Sequence, residues 1–122
     1  MTTYTPLTFT TAFRDGALIV ELRGAIDSAL SLDPALKSSL RAEARSIVLV
    51  LTHIEYINSS GFSALIRFSD AASEAKKSLF IVDLQSKVHI VFHSLGAHSV
   101  LNVLPKLEDA MAQIAKAGTK KE

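Results

Sequence analysis

The chain has 122 residues, no cysteine, 48% apolar and 20% charged residues, and a formal net charge of +1. That length suits one domain with its own core, and the near-neutral balance gives no electrostatic case for binding nucleic acid or a membrane surface. Without cysteine there is neither a disulfide nor a thiolate metal site, which fits a cytoplasmic location.

Residues 1–7 read as an N-terminal segment with neither the basic nor the apolar part of a leader. No stretch approaches ~20 apolar residues, so no direct membrane insertion is expected. Residues 8–23 read as a β-hairpin. Phe9, Thr11 and Phe13 alternate with Thr10 and Ala12, Asp15-Gly16 is a favoured two-residue turn, and Leu18, Val20 and Leu22 share a face up to a stop at Gly24. A first crossover fills 25–45, with Asp33-Pro34 as helix start and Leu36 and Leu40 on one side. Ile47 to Leu51 is an unbroken apolar run, suited to a central strand buried on both faces.

Thr52 to Ile57 reads as a loop, with Ile54 and Ile57 turned inward and Glu55 outward. The next four residues, Asn58-Ser59-Ser60-Gly61, are small and polar, and they open an amphipathic helix from about Ser60 to Ala75. Asn and Ser are preferred N-caps, and a positive helix end beside reachable hydroxyls suits an acidic group or a phosphate. Gly61 has no side chain, so another molecule could approach its backbone closely. Phe62 reads as core. Phe68 is out of step with Leu65, Ile66 and Ser69, which places it at the helix edge within a partner's reach.

Leu79 to Val82 is a further buried strand. A helix capped by Ser86 follows, with Val88, Val91, Phe92 and Leu95 inward and Gly96 as its stop. His89 and His93 are four apart, but a zinc site needs more ligands and no His-Glu-x-x-His is present. Val100 to Val103 is a short last strand. Pro105 opens a final helix with Leu107, Ala110, Met111 and Ile114 inward, ending before a flexible tail at 118–122. Strands alternating with helices after a hairpin imply an α/β fold with a small mixed sheet and one domain over 8–117.

The run Ile57-Asn58-Ser59-Ser60-Gly61-Phe62, between a buried strand and a helix, resembles the signature of STAS domains and, within them, the bacterial anti-sigma-factor antagonists. Its usual form there is Asp-Ser-Ser-Gly-Leu. Gly24-Ala25-Ile26-Asp27 is similar to the family's Gly-x-(Ile/Leu)-Asp segment, and the likeness spans about residues 8–116. Two positions depart from it: Asn58 replaces the family's Asp, and Val50 stands where an acidic or amide residue is common near the end of the strand, which removes a possible polar neighbour of the motif serine. The resemblance implies a mixed sheet with helices packed mainly on one face.

It also implies a phosphorylated serine at Ser59 within a partner-binding surface that includes Asn58, Ser60 and Gly61. Asp27 reads equally as an exposed turn carboxylate or as the acidic residue that the family places near the motif serine, Tyr56 as a surface contact or an inward plug, and Phe68 joins the surface from its place at the helix edge. The implied partners are a serine-kinase-type anti-sigma factor and an opposing serine phosphatase. Gly-x-Ser-x-Gly, P-loop and dinucleotide signatures are all absent. No catalytic residue, cofactor or metal is therefore assigned, and the chain reads as a non-enzyme. A second reading, a constitutive scaffold or accessory subunit without a phosphorylation cycle, is kept open by the charge that Asn58 lacks.

Overall fold

The computed structural model describes residues 5–119, with backbone alone at His98 and 117–119. The elements are β1 (Thr8–Arg14), β2 (Ala17–Ile26), α1 (Ala29–Arg41), β3 (Ser46–Ile57), α2 (Ser59–Glu74), β4 (Ser78–Val82), α3 (Ser86–Ser94), a short 3-10 turn (Ala97–Ser99), β5 (Val103–Leu104) and α4 (Leu107–Thr119). The strands form one sheet in the order β1-β2-β3-β4-β5. Only the β1–β2 pair is antiparallel.

The hairpin forms as its sequence implies. Asp15 and Gly16 both take positive φ, 51° and 83°, which matches the right-handed twist of the flanking strands. Arg14 faces Ala17 across the turn, and the register runs without a bulge to Thr8 opposite Arg23. Gly24 does not end β2. The strand shifts register beside it and continues to Ile26.

Two cores lie on opposite faces of the sheet. Alternate residues of β2 and β3 (Leu18, Val20, Leu22; Ile47, Leu49, Leu51) join the inner faces of α1, α2 and α3 in the larger one. In it, Phe62 of α2 meets Phe92 of α3 edge to face, with ring centroids 5.8 Å apart. The intervening residues Val48 and Val50, with Phe80 and Val82, pack against Ala110 of α4 in a smaller core. Three helices on one face and one on the other is the arrangement expected from the sequence.

Several local expectations are corrected. Helix α1 begins at Ala29, not at Asp33-Pro34, because Ser28 supplies the cap: its Oγ accepts from the Ser31 N–H at 3.2 Å. Pro34 lies inside the helix, and Asp33 instead pairs with Lys37 at 3.5 Å, one turn on. Strand β3 runs on through Thr52–Ile57, where a loop was expected, because β2 remains beside it as far as Ile26 opposite Ile57. Ile54 and Ile57 are nonetheless buried, as the sequence implied.

Ser86 does not cap α3. Gln85 holds that position, and its side-chain amide donates to the Thr52 carbonyl at 2.6 Å. Leu95, expected inside, is exposed. The last strand is Val103–Leu104 rather than Val100–Val103. Helix α4 continues past Gly118 to Thr119; the rest of the expected tail lies outside the described residues, as do residues 1–4 of the N-terminal segment.

Candidate functional site

Two helices start side by side at one end of the sheet. Strands β2 and β3 are parallel and end level, Ile26 opposite Ile57. Each is followed within two residues by an N-cap, Ser28 for α1 and Asn58 for α2. Both positive helix ends therefore emerge along the same edge.

The start of α2 is tightly specified. Asn58 is extended (φ −118°, ψ −175°), and its Oδ1 accepts from the Gly61 N–H at 2.8 Å. Its carbonyl accepts from the Phe62 N–H at 2.9 Å, closing the first turn. Asn58 thus performs the capping role its residue type suggests. Ser59 and Ser60 occupy the first two helical positions and are exposed. Their N–H groups belong to the first turn, which has no acceptor within the helix. The Ser59 hydroxyl therefore sits in solvent at the positive end of a four-turn helix.

Gly61 serves a different purpose from the one expected. It is buried, and a Cβ there would collide with the Ile26 carbonyl. The missing side chain lets α2 seat directly on the end of β2, and that space is filled from within rather than left for a visitor. The same contact brings Asp27, the next residue of β2's exit, beside the start of α2. Asp27 is exposed. Tyr56 is half-buried near the end of β3, opposite Ala25.

Phe68 is the clear exception among the sequence-derived contact residues. It is 0% exposed and part of the larger core. Its side chain floors a shallow groove between α1 and α2, beside Leu32, Leu36 and Arg67. Phe68 lies three residues past Leu65 and four before Ala72, so it shares their buried face, and the expectation of an edge position misjudged the helical spacing. The structure therefore removes Phe68 from the partner-facing residues.

Val50 is also relocated. It lies in the core under α4, on the sheet face opposite α2. The departure at this position is a change of core under α4, not the loss of a polar neighbour of Ser59. Leu30 was not singled out in the sequence and is an exposed apolar side chain near this site. It is 84% exposed, two residues past the Ser28 cap and at the same end of the sheet as Ser59. Its signal was present in the sequence: an apolar residue in a first helical turn, out of phase with Leu32 and Leu36.

Among the described residues no three His, Asp or Glu side chains converge as metal ligands, and His89 and His93 are both exposed on α3. No described helix is long and apolar enough to cross a membrane.

Comparison with known proteins places this geometry. Over 105 residues the chain is 29% identical to a protein of Bordetella bronchiseptica named as an anti-sigma factor antagonist, BtrV, covering 84% of this chain and 90% of that one. The crystal structure of an anti-sigma factor antagonist from Mycobacterium paratuberculosis superposes with a TM-score of 0.74 at 22% identity, over 89% of this chain and 94% of that one. The Bacillus cell fate determinant SpoIIAA in its phosphorylated form shares the fold at a TM-score of 0.61 and 12% identity, over 88% and 99% of the two chains. The STAS domain profile matches residues 8–110. Through that match, which spans most of its length, the chain belongs to the STAS domain family.

Proposed function

We propose that this protein is an anti-sigma-factor antagonist of a partner-switching module, binding a serine-kinase-type anti-sigma factor through the sheet end that carries Asp27, Tyr56 and Asn58–Gly61. Phosphorylation of Ser59 inactivates it and a serine phosphatase restores it. The observation that carries this reading is the exposed Ser59 hydroxyl at the first position of α2, directly after a formed Asn58 cap. Similarity to BtrV supports the partner class.

The physics of the switch is local. A phosphate adds about −1.5 to −2 charges and three acceptor oxygens. On the free protein it lies at a helix N-terminus, where negative charge is favoured. Inside a packed interface it adds bulk and an unpaired charge, costing about 2–5 kcal/mol by analogy with truncated buried charge pairs. That is roughly 30- to 4,000-fold in affinity, so no refolding is required.

The test begins with capture of the partner from native cells, followed by ATP-dependent phosphorylation with the purified partner. One phosphate should map to Ser59. Ser59→Ala should bind constitutively and Ser59→Glu poorly, with both folded, because Asn58 still caps the helix. Phosphate on Ser60, or equal affinities for the two variants by calorimetry, would overturn the switch. A captured partner that binds but never phosphorylates the chain would support instead the constitutive scaffold, the reading that Asn58 in place of an acidic residue favours.

A further inference from the structure

Among the described residues, the outer edge of β1 is open. β1 is one of the two terminal strands, and its residues are exposed apart from the half-buried Phe9. Edge strands usually carry devices against pairing with another chain: proline, lysine, a bulge or an inward charge. Thr8 to Phe13 has none of these, and its pairing with β2 is free of bulges. The single charge, Arg14, is engaged elsewhere, donating from Nη1 and Nη2 to the two carboxylate oxygens of Glu108 at 3.1 Å each. Phe13 is 65% exposed.

The turn decides which backbone groups are on offer. Arg14 and Ala17 flank a two-residue turn and so form a hydrogen-bonded pair. Alternation along the strand then directs the N–H and C=O of Thr8, Thr10 and Ala12 toward β2. Those of Phe9, Thr11 and Phe13 point out from the edge.

We propose that β1 pairs antiparallel with β1 of a second copy of this chain, about a two-fold axis at Thr11. The sequence Phe9-Thr10-Thr11-Ala12-Phe13 is close to symmetric about that residue. In this register Phe9 faces Phe13 of the other copy, Thr11 faces Thr11, and Phe13 faces Phe9. Every outward-directed residue meets another outward-directed residue, so each of these pairs exchanges two backbone hydrogen bonds. A shift of the axis by half a residue would set outward groups against inward ones and lose them. Aromatic pairs and threonine pairs across strands are among the stabilising combinations, and no like charges oppose each other, since Arg14 falls opposite Thr8. The exposed Phe13 side chain gains an apolar neighbour. A self-complementary patch of this kind closes on itself as a dimer and does not propagate.

The two-fold stands normal to the sheet, so β3 of one copy runs opposite to β3 of the other. The two Ser59 ends point in opposite directions and both stay open. Dimer formation is thus independent of the partner-switch reading, and either can fail alone.

Sedimentation of the full chain, from low micromolar to near millimolar concentration, tests the proposal. The mass should climb from monomer toward dimer, while the amides of Phe9, Thr11 and Phe13 become slower to exchange. Thr11→Pro removes only an outward N–H, which an edge strand tolerates. Phe13→Lys places a charge on an exposed position. Each should raise the dimer dissociation constant roughly tenfold or more with an unchanged melting curve; should Thr11→Pro misfold, Phe13→Lys alone decides. A wild-type chain that stays monomeric throughout, or dimers that form equally well with Phe13→Lys, would overturn the proposal.

Discussion

Two residues at the start of α2 do separable work. Gly61 fixes where the helix sits, since its Cα lies against the Ile26 carbonyl. Gly61→Ala should destabilise the fold by about 1–3 kcal/mol, the usual cost of forcing extra volume into a packed contact. The obstacle is backbone, so nothing flexible can yield. A urea midpoint equal to wild type would refute that view of the contact. Asn58 supplies the cap, and aspartate caps almost equally well. Asn58→Asp should therefore leave the melting temperature nearly unchanged while altering the rate of Ser59 phosphorylation. Its effect on binding the anti-sigma partner should be smaller, about 0–1 kcal/mol, as for a screened rim charge. Unchanged phosphorylation together with collapsed binding would make Asn58 an interface determinant instead.

At the far end of α2 the chain turns through a left-handed residue that is not glycine. Lys76 has φ 63°. Its N–H donates to the Ser73 carbonyl at 2.9 Å, and that of Lys77 to Ala72 at 2.8 Å. This is the paired hydrogen-bond closure in which glycine is the usual residue. Lys76→Gly should stabilise the protein by about 0.5–1 kcal/mol, because it relieves the Cβ crowding of that conformation. Equilibrium denaturation measures it, and a loss of stability would mean that the lysine side chain contributes more than its backbone costs. The neighbouring Lys77 is a poor control, since its Nζ donates to the Ala42 and Ala44 carbonyls after α1, at 2.8 and 2.6 Å. Elements were legible in the sequence where one local signal dominated. Asp15-Gly16 set the hairpin, Ile47–Leu51 the central strand, and Asn58 the cap of α2. Legibility failed where a partner elsewhere in the chain decided. Thr52–Ile57 is polar enough for a loop, but β2 holds it as strand. Asp33-Pro34 imitates a helix start that Ser28 had already made. Phe68 is a different case: its spacing of three from Leu65 and four from Ala72 already puts it on the buried face, so the signal was in the sequence. Ser59, Ser60 and Asp27 are exposed at the expected end of the sheet, whereas nothing local showed that Ile26 fills the space above Gly61.

For the whole molecule, the unequal cores imply unequal stability of the two layers. Helices α1 to α3 share one continuous core with β2, β3 and β4, whereas α4 rests on a few residues of β3 and β4. Its link to the hairpin, Arg14 to Glu108, is exposed, and exposed pairs hold little. Native-state hydrogen exchange in mild denaturant should show α4 amides opening at lower free energy than those of α2. Coincident opening of both helices would show a single cooperative unit instead.

That difference makes α4 a shield. Beneath it lie Val48, Val50, Phe80 and Val82 on two adjacent parallel strands, with no charge among them. Their backbone groups are paired on both sides, so what α4 covers is an apolar sheet face, and an exposed apolar patch is an aggregation liability. Each excursion of α4 from the sheet would bare these strands while the rest of the fold, including the Ser59 end, stays intact. The hazard to this protein at high concentration is then aggregation from a nearly native state, and its solubility is governed by the helix farthest in sequence from Asn58–Gly61.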